Sequence, residues 1–273
     1  MAVNDVDFLF ISDLIYDRLG IRLEKEKGYL IEARLAKVAE KAGLKTLGDL
    51  VNHLRTGRPR EEIITETVEA MTTNETYFFR DIAPFDALRE KVLPEVIARK
   101  RHEKVINIWS AACSTGQEAY SIALTLREAF PHLADWQVRI TGTDVAGKVV
   151  NRAKEGIFTR TEMGRGITPV MLAKYFMRQG EDWKIKDDVR KMIHFSTLNL
   201  KREWPHMPRM DVIFLRNVLI YMDNPSRKTI FGRAHRLLQP GGYLFLGAAE
   251  TTFNISDLFE RLDWKQAGCF RPV

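Results

Sequence analysis

Cysteine is scarce in this 273-residue chain: Cys113 and Cys269 stand alone, far apart and in no Cys-x-x-Cys pair. That excludes a disulfide framework and a thiolate zinc site, and suits a reducing cytoplasm. The six histidines show no ligand spacing, so no metal is expected. No apolar run approaches the length of a membrane span. The first residues lack the basic and apolar regions of a secretory signal, so direct membrane insertion is not expected. Phosphate-cradling and nucleophile motifs are missing too: no Gly-x-x-x-x-Gly-Lys-Ser/Thr loop, no Gly-x-Gly-x-x-Gly and no Gly-x-Ser-x-Gly.

What remains is ordinary for a globular protein, 45% hydrophobic and 29% charged, and long enough for more than one domain. The net charge is +6. Residues 1–80 hold twelve Lys/Arg against fourteen Asp/Glu, so the rest of the chain carries the whole basic excess. Such a surface suits RNA, an acidic protein, or plain solvation.

Residues 5–70 read as a small helical bundle. Phe8, Phe10, Ile11, Leu14, Ile15 and Leu19 recur at helical spacing up to Gly20. A second helix is expected from Lys25 to Ala42. A third runs from Leu47 to Arg55, with Thr46 as N-cap and Gly57 and Pro59 as stops, and a fourth from Arg60 to Met71. On the second helix, Lys27, Arg34, Lys37 and Lys41 share one sector beside Ile31, Leu35 and Val38. That stripe is either a docking face for an acidic helical partner or a solubilising one. The polar stretch Met71–Asp81 then leads through Tyr77, Phe78 and Phe79 to Arg80, which offers a carboxylate-matched fork or a surface ion pair. A helix over Phe85–Lys100 follows.

From Val105 strands and helices alternate, the mark of a parallel sheet with crossover helices. The first strand breaks into the small residues Ser110 to Gly116 and runs into a helix starting near Glu118. That is either a ligand loop at a strand tip or an ordinary turn. The second strand, Gln137 to Gly142, ends in Thr143-Asp144. Asp144 suits a ribose diol, because a carboxylate accepts two hydrogen bonds; alternatively it caps the helix Lys148–Gly156. Residues 157–192 interrupt the alternation as an inserted unit with small strands, where substrate choice commonly resides. Strand rhythm resumes at Lys191–Ser196 and at Asp211–Leu215. A helix over Ser226–Gln239 closes at Pro240-Gly241-Gly242, a strand follows at Tyr243–Ala248, and residues 253–273 form an edge hairpin.

Five separated segments converge: Met71–Asp81, Trp109–Ala123, Thr143-Asp144, Asn199-Leu200 and Arg216–Tyr221. Together they resemble the bacterial chemotaxis-receptor glutamate O-methyltransferases, the CheR family, over nearly the whole chain. The turn Arg216–Tyr221 also lacks the Pro-Pro of many amino-group methyltransferases. The resemblance implies an α/β class I, Rossmann-like methyltransferase domain (73–273, insertion about 157–192) behind a helical N-terminal domain (1–72). It implies S-adenosylmethionine as cofactor, held by Asn74, Thr76, Arg80, Ala111, Glu118, Asp144, Asn199, Leu200, Asn217 and Val218. Arg80 and Tyr221 would stand nearest the reactive methyl group, and Arg34, Lys37 and Lys41 would dock the receptor. The expected partner is the cytoplasmic helical methylation region of chemotaxis receptors, met by a cytoplasmic monomer that binds no nucleic acid. A methyltransferase of the same fold acting on RNA or a small molecule, or a non-catalytic adaptor, are the alternatives. The chain departs from the family pattern at Gln117 and Ala119, where Glu and Pro are common. Its second helix is less basic, and its shorter 178–189 segment points to a form that needs no receptor tether peptide.

Overall fold

The computed structural model describes residues 4–56, 59–264 and 266–273. They form two compact units. One comprises the chain up to Thr73 with Leu200–Arg202 and Tyr221–Ser226; the other comprises Asn74–Asn199, Glu203–Ile220 and Arg227–Val273.

The first unit is helical. Helix α1 (Asp5–Leu19) starts where the Asn4 side chain accepts the Asp7 amide, and ends where the Gly20 amide reaches Tyr16 O. Its buried residues Phe8, Ile11, Ile15 and Leu19 form one stripe. Helix α2 begins at Gly28 (Gly28–Lys41), and the expected start at Lys25 is instead a single 3-10 turn, Lys25–Lys27. Ile31, Leu35 and Val38 pack inward. Helix α3 (Leu47–Thr56) opens on a reciprocal cap: Thr46 Oγ1 accepts the Asp49 amide and Asp49 Oδ2 accepts that of Thr46, both at 3.0 Å. Gly57, expected to stop α3, lies outside the described residues, as does the side chain of Lys27. Helix α4 (Glu61–Ala70) completes the bundle. Within this unit Tyr16 donates to Asp223 at 2.8 Å, and Ile21 bridges Met222.

The second unit opens on α5 (Ala83–Ala87) and α6 (Leu93–Lys100), joined by a π turn, Leu88–Val92. One unbroken helix was the expectation. Pro94 lacks an amide hydrogen and its ring crowds the preceding turn, so the helix widens and the Leu93 amide reaches back to Leu88 O. Then come β1 (Val105–Ala111), α7 (Gln117–Ala129), β2 (Gln137–Asp144) and α8 (Gly147–Glu155). The insertion holds β3 (Ile157–Phe158), α9 (Arg160–Met163), α10 (Pro169–Tyr175), β4 (Phe176–Gln179), β5 (Asp182–Ile185) and α11 (Asp187–Arg190). Its strands form an antiparallel sheet ordered β3-β5-β4. The chain returns through β6 (Ile193–Thr197), β7 (Met210–Leu215), α12 (Asn224–Leu237), β8 (Leu238–Leu246), β9 (Phe259–Arg261) and β10 (Cys269–Pro272).

The main sheet runs β6-β2-β1-β7-β8-β10-β9, with the first five strands parallel and the last two an antiparallel edge. The expected break at Pro240–Gly242 is absorbed within β8. Met210 pairs Leu238 while Val212 pairs Tyr243, so the Pro-Gly-Gly run bulges out of register. Ile106, Ile108, Val212, Phe214, Tyr243 and Phe245 are buried along the central strands. After β1 the chain adds β2 and β6 on one side, then crosses to β7 on the other. The tips of β1 and β7 are therefore the topological switch point, where open α/β sheets bind ligands.

Candidate active site

The turn between β1 and α7 is held in an uncommon shape. Ala112 (φ 58°), Ser114 (φ 50°) and Gly116 (φ 96°) all adopt left-handed backbone, which costs about 1–3 kcal/mol at each non-glycine position. Gly116 tolerates no side chain: a Cβ there would lie 2.9 Å from Ala153 Cβ and 3.2 Å from rings of Phe195 and Tyr120. Four hydrogen bonds offset the strain. The Cys113 amide reaches Thr143 O (2.8 Å), the Gly116 amide Cys113 O (2.9 Å) and the Ser114 amide Asp144 Oδ2 (2.9 Å), while Ser114 Oγ reaches Asn74 O (2.9 Å). The loop thus ties Asn74 to the tip of β2.

Asp144 also accepts the Ala146 amide on Oδ1 at 3.0 Å. Ala146 is the N-cap of α8 and makes no side-chain bond of its own. A carboxylate offers about four acceptor sites, so bracing these amides is compatible with also taking a vicinal diol.

Glu118 opens α7 facing Arg216, which follows the apolar strand β7. Arg216 is almost wholly buried, its side chain 1% exposed. Its Nη1 donates to Glu118 Oε2 (3.0 Å) and its Nη2 to Asp81 Oδ2 (2.8 Å) and Arg80 O (2.9 Å). Ser110 Oγ donates to the other Glu118 oxygen at 2.8 Å. Burial pushes the Glu118 carboxyl above its ordinary range, opposed chiefly by the Arg216 charge. Sequence reasoning missed Arg216 as a site residue. The available signal was a cation placed directly after the apolar run Val212–Leu215, a position that requires a buried partner.

Glu250 was missed as well. Its carboxylate accepts five backbone amides: Asn217, Val218, Leu219, Ile220 and Gly247, at 2.7–3.2 Å. The charge sits at the amino end of the 3-10 turn Leu219–Tyr221 and holds Asn217 left-handed at φ 58°. Asn217 and Val218 are thereby fixed beyond the tip of β7.

The Arg80 turn is the other strained segment, with positive φ at Phe79 (52°), Asp81 (65°) and Ile82 (28°). Phe78, fully buried, anchors it edge-on to Phe158 and Phe176 at 4.9 and 5.7 Å. The Phe79 amide donates to Ser121 Oγ at 2.9 Å. Arg80 itself is half-buried. Its Nη1 donates to Glu75 O (2.8 Å) and its guanidinium lies over the Tyr77 ring (5.6 Å). Among the described residues it makes no ion pair, so the surface ion pair weighed from sequence is not what holds it.

Ala111, Glu118, Asp144 and Asn217 thus gather at the tips of β1, β2 and β7, with Asn74 and Arg80 tied to them through Ser114 and Arg216. Thr76 and Asn199 are half-buried in the same unit. Leu200, buried, and Tyr221, 38% exposed, group with the helical unit. Of the docking candidates, Arg34 is turned to the backbone, donating to Met71 O (3.0 Å) and Thr72 O (3.1 Å), and Lys41 pairs with Glu66. Lys37 is exposed.

A switch-point loop with an acidic residue at the next strand tip defines a nucleotide-cofactor site of the class I methyltransferase kind. Two family descriptions match the chain, "CheR methyltransferase, all-alpha domain" over residues 6–72 and "CheR methyltransferase, SAM binding domain" over residues 74–267. The chain is 39% identical over 266 residues to chemotaxis protein methyltransferase 1 of Pseudomonas aeruginosa, covering 95% of each chain. It is 38% identical over 263 residues to the chemotaxis protein methyltransferase of Vibrio anguillarum, covering 95% of this chain and 94% of that one. The protein belongs to the CheR methyltransferase family, and S-adenosylmethionine is its cofactor. The cradle fits that group: a small-residue loop for close approach, the Glu118 carboxylate for an ammonium and Asp144 for a diol.

Proposed function

We propose that this chain methylates glutamate side-chain carboxylates of chemotaxis receptors, using S-adenosylmethionine as donor and giving glutamate methyl esters. The observation that carries the reading is Arg80. Its guanidinium has no carboxylate partner among the described residues, and its backbone is bolted through Arg216 to Glu118. S-adenosylmethionine supplies an electrophilic methyl group on a positively charged sulfonium. A glutamate is already ionised at neutral pH, so the protein needs no general base and its work is alignment and exclusion of water. Alignment of this kind contributes about 7–11 kcal/mol to barrier reduction.

In this reading Glu118 takes the donor's amino group and Asp144 its ribose. Asn74, Thr76, Arg80, Ala111, Asn199, Leu200, Asn217 and Val218 complete the binding set. Arg80 orients the incoming carboxylate, and Tyr221 enters as its hydrogen-bonding companion by resemblance. Residues 1–72 serve as a helical docking domain, with Lys37 as its most available cation beside Arg34 and Lys41. Residues 73–273 form the catalytic domain, and the insertion at about 157–192 contacts the receptor. The partner is the helical methylation region, met by a monomer in the cytoplasm. None of the described helices is long and apolar enough to cross a membrane.

The test offers labelled S-adenosylmethionine together with a receptor cytoplasmic fragment and RNA. Label in the receptor fragment alone supports the reading; label in the RNA alone overturns it.

A further inference from the structure

Beside the Arg80 turn stands a second guanidinium that the proposed chemistry has not used. Arg165 lies in the insertion, between α9 and α10, with its guanidinium carbon 4.2 Å from the centre of the Tyr77 ring; that of Arg80 lies 5.6 Å from the same centre. Both are within cation–π range of one ring. The two cations are therefore separated by no more than the sum of those distances. Arg165 is exposed, and among the described residues neither cation has an ion pair. Neither guanidinium is matched by a carboxylate among those residues, and an anion entering beside the Tyr77 ring is attracted by both.

The placement is built into the fold. Gly166, at φ +88°, abuts the backbone of the Arg80 turn so tightly that a Cβ there would fall 1.9 Å from Phe78 O. Only glycine permits that approach, and it sets Arg165 against Tyr77. Phe78, wedged between Phe158 of β3 and Phe176 of β4, locks the two segments from the other side.

Resting on the glutamate-methylation reading, we infer that Arg165 is a second substrate-reading guanidinium. It engages an acidic side chain that neighbours the methyl-accepting glutamate on the same face of a helical substrate. One carboxylate shared by both cations would be neutralised and would lose nucleophilicity, so the second cation is better matched to a second acid. Helix geometry supplies one: side chains three or four residues apart share a face, with Cβ atoms about 5–6 Å apart. A consequence follows for the reaction sequence. Each ester formed on a neighbouring glutamate removes a charge that Arg165 reads, so the next methylation on that face is slower.

The experiment compares the full chain with Arg165→Ala and Arg165→Lys. The substrates are two receptor fragments, one natural and one with the acids flanking the acceptor replaced by Gln. Arg165→Ala should lower kcat/KM about fivefold on the natural fragment, the scale of an exposed ion pair, chiefly through KM. Arg165→Lys should recover part of that loss. The effect should shrink below about twofold on the Gln fragment, with S-adenosylmethionine affinity by calorimetry unchanged. Equal losses on both fragments, or no loss on either, overturn the assignment. No methylation of either fragment by the unaltered protein would instead defeat the underlying reading.

Discussion

Replacing Arg216 with Met is the sharpest perturbation of the catalytic unit. Its side chain is 1% exposed and bridges Glu118, Asp81 and Arg80 O, with the Glu118 side chain 12% exposed and that of Asp81 35%. Asp81 re-solvates when released and contributes little, about 1 kcal/mol or less. Glu118 has no such escape. Stranding one partner of a buried pair costs about 3–5 kcal/mol. At about 2–4 °C per kcal/mol for a domain of this size, melting should fall by about 6–20 °C. The pH dependence has a definite sign. Burial already raises the Glu118 pKa above its ordinary 4.5, against the pull of Arg216, and losing Arg216 raises it further. A raised carboxyl pKa means the folded state holds the proton longer, so that contribution to stability is present at acid pH and lost as pH rises through the folded value. The gap between the two proteins should therefore widen as pH rises above the ordinary 4.5 of a glutamate. Thermal and urea unfolding followed by circular dichroism reads both effects. The double variant Arg216→Met/Glu118→Gln should recover much of the loss, because the stranded charge is gone. A cost below about 1 kcal/mol, or no recovery in the double variant, refutes the account of this network.

Arg80→Ala should lower turnover at least about 100-fold, the scale of a misplaced reactant, with the fold retained; near-normal receptor methylation would remove Arg80 from the chemistry. Affinity for S-adenosylmethionine should weaken as pH falls, with a midpoint above 4.5 set by the raised Glu118 pKa. Glu118→Gln should flatten that profile in calorimetry, and an unchanged profile would take Glu118 out of the cofactor site. Gly166→Ala should destabilise the catalytic unit by about 1–3 kcal/mol through forced repacking against Phe78 O; unaltered melting would contradict the close approach.

What the chain disclosed in advance follows from the range of the interactions. Gly20, Thr46 and the apolar stripe of α1 act within a turn or two, so they read directly from residue order. The alternation from Val105 onward fixed the sheet class, and the small residues after β1 marked the ligand loop. An interruption of the helix was also legible in principle, since Pro94 removes an amide donor there. Arg216 and Glu250 were not. Their partners lie 98 and about 30 positions away, and only the folded sheet brings Glu118 to Arg216 or the turn after β7 to Glu250. The basic stripe of α2 shows the converse: Arg34 and Lys41 share a helical sector with Lys37, yet spend their charge on Met71 O, Thr72 O and Glu66. A helical wheel places side chains but does not show what they touch.

The most direct measurement is to map the methyl label on a receptor fragment after reaction with the unaltered protein. The account predicts base-labile label confined to glutamates on one helical face, lost when those glutamates become Gln. Base-stable label, or label on lysine, arginine or nucleic acid, would contradict it.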